Sequence, residues 1–238
     1  MRKTIGKLFL ILMLLVIYAP ILILAVYSFT DSGNIGSIHG FSMQNYVTLF
    51  TKGELRDMIV GTVLLALVSS LLATIFGTMG AIGAFYSKKL AKNFINTANQ
   101  IPVVNADVVT GFSICVLLIV AFGMNKESYV PLLIGHVVLS APFVYLSVVP
   151  KLKQMDASLY EAAMDLGASP SMALRKVVIP QIMPGIVSGA LIAFTMSIDD
   201  FIISYFVTGG GVKNLSITVY TMSKRVNPSI NAISTLVV

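Results

Sequence analysis

Long apolar runs separated by short polar segments dominate the chain. A helix that spans a bilayer needs about 20 mostly apolar residues, because each residue rises about 1.5 Å through a hydrocarbon core of about 30 Å. By this measure the sequence predicts five complete spans and the beginning of a sixth. They cover residues 8–29, 58–87, 101–122, 131–149, 182–207 and, incompletely, 232–238. Because the last run is too short to cross a bilayer, we expect the native chain to continue past Val238.

The composition agrees with this pattern. Hydrophobic residues make up 56% of the chain and charged residues 11%, whereas soluble domains carry about 25% charged residues. We therefore predict an all-α polytopic membrane protein, with residues 1–238 forming a single transmembrane domain. The single cysteine, Cys115, excludes an intrachain disulfide and a cysteine-cluster metal site. The net charge of +6 comes from short basic loops between the spans, so it argues for membrane topology and against nucleic acid binding.

The distribution of basic residues predicts the orientation. Lys and Arg collect in cytoplasmic loops, and a cytoplasmic N-terminus places ten of the sixteen basic residues inside. The ten are Arg2, Lys3, Lys7, Lys88, Lys89, Lys92, Lys151, Lys153, Arg175 and Lys176. The first apolar run is longer than the core of a signal peptide, usually about 7–15 residues, and no A-x-A-like cleavage site follows it. We expect it to stay as the first span.

Prolines and glycines recur within the predicted spans. Five prolines predict kinked or broken helices, which membrane proteins tolerate where protein or a water-filled cavity satisfies the freed backbone groups; they are Pro20, Pro102, Pro131, Pro142 and Pro184. Two sets of spaced glycines, Gly77/Gly80/Gly83 and Gly185/Gly189, favour close helix contacts. They could equally reflect the general glycine content of membrane helices.

The segment between the fourth and fifth spans, residues 150–180, predicts two short helices. Residues 160–166 are strong helix formers, and Gly167 suits the left-handed residue that ends a helix. Ser169 and Pro170 then supply an N-cap and a first-turn proline for a second helix. The chain therefore predicts a helix-turn-helix at the inner membrane surface, suited to docking another protein.

This segment also resembles the EAA loop of ATP-binding-cassette importer permeases. The family pattern is EAA, three residues, Gly, nine residues and I-x-L-P; here Glu161-Ala162-Ala163 is followed by Gly167 at the same spacing and by Val177-Val178-Ile179-Pro180. The resemblance implies a type I importer (MetI-like) permease fold with six transmembrane helices. It also implies that Glu161, Ala162, Ala163 and Gly167 couple the chain to a cytoplasmic ATPase.

Three acids interrupt the apolar spans. Asp107 lies in the third span, and Asp199 and Asp200 lie in the fifth. Acids in the hydrocarbon cost about 2.5–3.5 kcal/mol each on insertion scales and tend to mark pathways or paired sites. No Lys or Arg falls within the spans, so a cationic solute would supply the missing charge.

If the fifth span is one unbroken helix, its two aspartates point about 100° apart and cannot both face a pore. Asp200 shares its stripe with small and polar residues, namely Ala193, Ser197, Ser204 and Thr208. We therefore assign Asp200 first to the solute pathway, with Ser197 and Ser204, and assign Asp199 to capping or to bridging a partner subunit. Tyr205 could offer a cation-attracting ring or belong to the interfacial aromatic belt. His136 is expected to be a hydrogen-bonded packing residue.

The run from Ser197 to Gly210 and the segment Ala106-Asp107-Val108-Val109 are similar to spermidine/putrescine permease subunits. This resemblance implies a polyamine importer with a second permease subunit, a pair of ATPase subunits and an extracellular binding protein, in a bacterial inner membrane. No G-x-x-x-x-G-K-[ST] loop occurs. We therefore expect no cofactor in this chain and no enzymatic activity of its own; ATP and Mg²⁺ would bind to the partner ATPase.

Two alternatives remain open at this point. The chain could be a related permease for another solute, such as an anion or an organophosphonate, although three acids and no intramembrane base argue against an anion. It could also be a membrane enzyme, such as an intramembrane protease, that uses Asp107 with the Asp199/Asp200 pair as acid and base. That reading leaves the segment that resembles the EAA loop unexplained.

Overall fold

The structure, a computed structural model, describes residues 2–30, 40–51, 53–156, 158–208, 212, 214–223 and 232–235. Helices form nearly all of this part of the chain. They are α1 (Arg2–Ser28), α2 (Gln44–Thr51), α3 (Gly53–Tyr86), α4 (Lys89–Val104), α5 (Asp107–Cys115), α6 (Tyr129–Gln154), α7 (Ser158–Asp165), α8 (Pro170–Ala173), α9 (Ile179–Asp199), α10 (Ile202–Thr208) and α11 (Leu215–Ser223). Val116–Ala121 extends α5 and Leu174–Val178 joins α8 to α9, both as π-helix.

Four of these helices are long and apolar enough to cross a membrane: Gly6–Ser28 of α1, α3, α6 and the continuous helix Pro170–Asp199. A bent pair, α4 with α5 and its π-helical extension, makes a fifth candidate. The all-α membrane fold is therefore confirmed. The predicted sixth span begins in residues 232–235, which are helical, and otherwise lies outside the described residues.

The structure corrects the third and fifth spans. Residues 101–104 end α4, and the chain turns by 106° before α5 begins at Asp107. The fifth span, predicted as 182–207, begins earlier and ends at Asp199, where α9 stops before α10. Helices run through Pro102, Pro142 and Pro184, so neither break lies at a proline.

The chain divides into two compact units, of which the first comprises residues 1–60 and 217–238. Within this unit, the end of α1 packs against the start of α2. The Asn45 side-chain amide donates hydrogen bonds to the backbone oxygens of Ser28, at 3.2 Å, and Thr30, at 2.9 Å. The Phe29 ring stacks on Phe41 at a centroid distance of 5.8 Å.

The second unit, Gly61–Ser216, contains the main core. Here α3 and α9 pack against α6 at glycines. A Cβ added at Gly77 would lie 2.7 Å from the Ala141 backbone oxygen, and one added at Gly189 would lie 3.0 Å from the Val144 Cα. Gly185 approaches Ser147 and Lys151 of α6 in the same way. The expectation of close helix contacts is thus confirmed for Gly77 and for the Gly185/Gly189 pair, whereas a Cβ at Gly83 would meet nothing within 4 Å.

Candidate functional site

The break between α9 and α10 is built around the Asp200 carboxylate. Asp200 has extended backbone angles, φ −65° and ψ 119°, and ends α9. Its carboxylate accepts hydrogen bonds from the backbone N–H groups of Ile203, at 3.2 Å, and Ser204, at 2.9 Å. The Ser204 hydroxyl donates a third, at 3.0 Å. Asp200 therefore caps α10 and replaces the helical hydrogen bonds that the break removes.

The break between α4 and α5 carries the third acid. Ala106 is extended, with ψ 136°, and Asp107 stands in the first turn of α5. A carboxylate near a helix N-terminus interacts favourably with the helix dipole and with the first, unpaired N–H groups. Both broken spans thus restart with an aspartate at the beginning of the new helix.

The two breaks meet at one cleft of about 460 Å³. Its lining comes from the start of α5, the middle of α6 and the junction of α9 with α10. The lining residues are Asp107, Leu139, Thr195, Met196, Asp199, Asp200, Phe201 and Ile202. Three carboxylates and no basic side chain line this cleft. The three acids that the sequence singled out are thus brought together although they lie up to 93 positions apart in the chain.

The three acids differ in how far the protein offsets their charge. Asp200 is 9% exposed and fully hydrogen-bonded, as described above. Asp107 is exposed, at the favourable end of α5. Asp199 is also exposed, but it is the last residue of α9, where the helix dipole is negative. Within the part of the chain that the structure describes, neither Asp107 nor Asp199 forms a salt bridge.

The capping role falls on a different residue from the one the sequence suggested. The sequence assigns Asp199 to capping or to bridging a partner subunit and Asp200 first to the pathway, whereas in the structure Asp200 is the cap and Asp199 is an exposed carboxylate of the cleft. The prediction assumed one unbroken helix, and the break at Asp200 removes the face on which it rested. Which of the acids contacts a solute stays a prediction.

Ser197 and Ser204 face a buried histidine and do not line the cleft. The His136 ring of α6 is 0% exposed; its Nδ1 lies 2.7 Å from the Ser197 Oγ and its Nε2 3.3 Å from the Ser204 Oγ. The same Nε2 lies 3.5 Å from an Asp200 carboxylate oxygen. The expectation that His136 is a hydrogen-bonded packing residue is confirmed.

This polar centre extends beyond His136. The Ser197 hydroxyl lies 2.8 Å from the Ser69 hydroxyl of α3, and the Asn214 amide donates to the Ser204 Oγ. Four helices, α3, α6, α9 and α10, are therefore joined by one hydrogen-bonded cluster behind the cleft. Sequence reasoning missed this cluster; the signal was a lone histidine in an apolar span together with two serines seven positions apart.

Tyr205 lies on α10 but does not line the cleft. Its ring is 53% exposed and packs against Phe201 with centroids 5.5 Å apart. Phe201, the residue after the break, does line the cleft. An aromatic face next to carboxylates is a site to which an ammonium group is attracted.

The second candidate site is the segment from α7 to α8, which forms the predicted helix-turn-helix. Gly167 has φ +88°. The Ala168 N–H bonds to the Ala163 oxygen at 3.0 Å and the Gly167 N–H to the Met164 oxygen at 2.9 Å, which is the paired ending of a Schellman motif. The Ser169 hydroxyl accepts from the Met172 N–H at 3.4 Å and caps α8. Both predicted helix ends are confirmed.

The surface of this segment is exposed and partly apolar. Glu161 and Ala162 are exposed, Ala163 is half-buried, and Leu166 is 90% exposed. Leu159, Met164 and Met172 are each at least 40% exposed as well. On the inner side, the Tyr160 ring packs on Tyr86 with centroids 5.1 Å apart, which anchors α7 to the end of α3. Such a patch outside the apolar spans is typical of a protein-docking surface.

Both ends of this segment differ from the predicted boundaries of 150–180. Residues up to Gln154 belong to α6, and α8 continues through the π-helical turn Leu174–Val178 into α9. The wider turn accommodates Pro180, which lacks the N–H that a regular α-helix would require there. At the start of the segment, the hydroxyl and the backbone N–H of Ser158 lower the pKa of the exposed Asp156 carboxyl below its usual value.

Comparison with known proteins places the chain in a family. The sequence model of the protein family described as binding-protein-dependent transport system inner membrane component matches residues 73–237. The spermidine/putrescine transport system permease protein PotC of Escherichia coli (strain K12) is 33% identical over 221 residues, which are 92% of this chain and 83% of that protein. The putrescine transport system permease protein PotI of the same strain is 33% identical over 227 residues, which are 93% and 81%.

Solved structures share the fold. A bacterial alginate ABC transporter, in complex with alginate pentasaccharide-bound periplasmic protein, aligns with a TM-score of 0.71 at 15% identity, covering 99% of this chain and 87% of that one. An amino acid ABC transporter aligns with a TM-score of 0.55 at 21% identity, covering 82% and 87%. The chain thus belongs to the family of binding-protein-dependent transport system inner membrane components, as a permease subunit of an ABC transporter.

Proposed function

We propose that this chain is one of two membrane-spanning subunits of an ATP-driven importer of polyamines, with spermidine and putrescine as its solutes. The relatives named for spermidine and putrescine transport match more than nine-tenths of the chain. The observation that carries the proposal is the cleft at the two helix breaks, which presents carboxylates without a base.

A polyamine suits this cleft chemically. Its amines are protonated near neutral pH, so it brings two or more positive charges separated by short apolar methylene segments. Asp199 and Asp107 offer exposed carboxylates, while Phe201 and Leu139 add apolar surface to the same lining. Because Asp199 stands at the negative end of α9, its charge is the least compensated of the three, and we assign it the first contact with a bound ammonium group.

The proposed coupling runs along one helix. Pro170–Asp199 is a continuous helix of 30 residues, roughly 45 Å long, that begins in the α7–α8 segment and ends at the cleft. A movement of the segment against an ATPase subunit would therefore reach Asp199 through a single rigid element. In this proposal Glu161, Ala162 and Ala163 make the contact, and Gly167 shapes the turn that presents them.

The remaining components lie outside this chain. ATP and Mg²⁺ would bind to a pair of separate ATPase subunits on the cytoplasmic side. A second permease subunit would complete the path, and an extracellular binding protein would deliver the solute. The protein would lie in a bacterial inner membrane with its N-terminus in the cytoplasm, which places the basic loops on the inner side.

The test is uptake by the complete transporter in proteoliposomes. Labelled spermidine and putrescine should accumulate only with ATP, and excess sulfate should not compete. Asp199→Asn should reduce uptake at least about tenfold, as expected for the loss of a charge-assisted contact worth roughly 1.5–3 kcal/mol. Asp57→Asn is the matched control, since Asp57 is 73% exposed at the start of α3.

Failure of either polyamine to accumulate with ATP, or competition by sulfate, would contradict the polyamine assignment and favour a permease for another solute. Equal uptake by the Asp199→Asn variant and wild type would contradict the contact assigned to Asp199. Proteolytic activity of this chain without any ATPase would instead revive the reading as a membrane enzyme.

A further inference from the structure

A second polar pocket lies away from the cleft, where α3, α4 and α6 come together. Its volume is about 50 Å³. The end of α3 contributes its apolar wall, α4 contributes Lys92 and Asn96, and α6 contributes Tyr145 and Lys153. The apolar lining residues are Ala81, Ala84, Phe85 and Val149. Neither the observed α7–α8 segment, Ser158 to Ala173, nor the carboxylate cleft includes any of these residues.

The polar groups of this pocket are arranged as donors. The Tyr145 hydroxyl donates to the Asn96 side-chain oxygen, so the Asn96 NH₂ group is left to donate. The Lys92 ammonium lies 5.5 Å from the centre of the Phe85 ring, which holds it at the pocket. No carboxylate lines the pocket, and among the described residues neither Lys92 nor Lys153 forms an ion pair.

Two ammonium groups and an amide NH₂, in a lining that contains no carboxylate, form a site for an anion. One water needs about 10–15 Å³ measured in the same way, so about 50 Å³ holds the few oxygens of one phosphate group. With the orientation proposed above, the lysines lie at the depth of the inner-leaflet headgroups, where basic pockets between helices bind anionic lipids. We propose that this pocket binds a phosphate group, supplied by the headgroup of an anionic phospholipid.

Native mass spectrometry of the complete transporter in neutral detergent tests this site. Phosphatidylglycerol is added, with phosphatidylcholine as the zwitterionic reference and inorganic phosphate as a competitor. Lys92→Gln/Lys153→Gln should bind phosphatidylglycerol about tenfold or more weakly than wild type, because two charge-assisted contacts are lost. Lys7→Gln/Lys89→Gln removes the same charge from exposed positions outside the pocket and should bind as wild type does.

Retention of phosphatidylglycerol over phosphatidylcholine, lost only in the pocket variant, supports the lipid headgroup as the source. Displacement of the lipid by millimolar inorganic phosphate would support the same site with free phosphate as its ligand. Equal retention of both lipids by wild type without phosphate binding, or equal loss in both double variants, would overturn the proposal. Neither readout depends on solute uptake, so failure of this site is distinguishable from failure of the proposed transport function.

Discussion

Asp199 and Asp200 are neighbours in the chain and lie in different electrostatic surroundings. Asp200 points inward, where two backbone N–H groups, the Ser204 hydroxyl and the His136 ring surround its carboxylate. Asp199 points into the cleft without an ion pair among the described residues. One carboxylate therefore stabilises the helix break, and the other is free to meet a solute.

This difference predicts that substitution of Asp200 lowers stability more than substitution of Asp199. Asp200→Ala removes a buried cap and leaves the Ile203 and Ser204 N–H groups unpaired, which should lower the free energy of unfolding by about 1–3 kcal/mol. Asp200→Asn keeps one accepting oxygen and should lie between the alanine variant and wild type. Thermal unfolding of the purified transporter measures this, with Asp199→Ala as the control. An unchanged melting temperature for Asp200→Ala would contradict the capping role.

Gly167 is the second residue whose conformation decides a site. At φ +88° an L-residue is strained by about 1–2 kcal/mol, while an added Cβ would meet nothing within 4 Å. Gly167→Ala should therefore reduce the increase in ATP hydrolysis that solute causes in the complete transporter. Backbone strain alone would cause this reduction. Gly167→Asn should be milder, because Asn tolerates this region better, and Gly167→Val should be more severe.

A charge reversal at Glu161 is the matched comparison for the Gly167 variants, because it changes the surface of the α7–α8 segment and not its turn. Glu161→Lys changes an exposed side chain without altering the turn, so loss of coupling in this variant reports on the contact itself. Wild-type coupling in Glu161→Lys and in all three Gly167 variants would remove the docking role of the segment.

At the scale of elements, α3, α6 and α9 approach one another through glycines. Gly77→Ala places a Cβ 2.7 Å from the Ala141 backbone oxygen and the Val144 Cβ, so the helices must separate. We expect a loss of about 1–3 kcal/mol in the free energy of unfolding, as for other overpacked cores. Gly83→Ala on the same helix meets nothing within 4 Å and should be neutral or slightly stabilising, because Ala favours the helix. Equal melting temperatures would contradict this packing.

The broken helices matter more than the continuous ones for the proposed path. A helix in lipid satisfies its backbone groups internally, so a break is stable only where side chains or a cavity replace those bonds. At Asp200 the carboxylate supplies the replacement, and at Asn105–Ala106 the chain turns by 106° next to the same cleft. The ends of broken helices place polar groups at one depth in the membrane, and solute sites of transporters are typically built from such ends.

At the scale of the whole molecule, the proposed orientation can be tested by labelling. In a Cys115→Ala background, Glu127→Cys lies in the loop before α6 and Ser171→Cys lies in α8. With the basic loops inside, a membrane-impermeant maleimide should label the first from outside intact cells and the second only after permeabilisation. The reverse pattern would place the N-terminus outside.

Some features were decided by the sequence alone because their causes are local. The length and apolarity of the runs determined the first, second and fourth spans, since bilayer thickness sets that requirement. Turn chemistry at Gly167, Ser169 and Pro170 determined the ends of α7 and α8, because each preference acts within a few residues. The resemblance of the segment around Glu161 and Gly167 to the EAA loop also indicated the transporter family correctly.

Other features were decided only by the tertiary structure, because they depend on groups distant in the chain. The aspartates do not by themselves fix where α9 ends; the break is stabilised by the Asp200 carboxylate, which lies 3.5 Å from His136, 64 positions away. The same distant contacts bury Ser197 and Ser204 and leave Asp199 exposed beside Asp107. Sequence periodicity assumes an unbroken helix, so it identified the acids but not the cap that Asp200 provides.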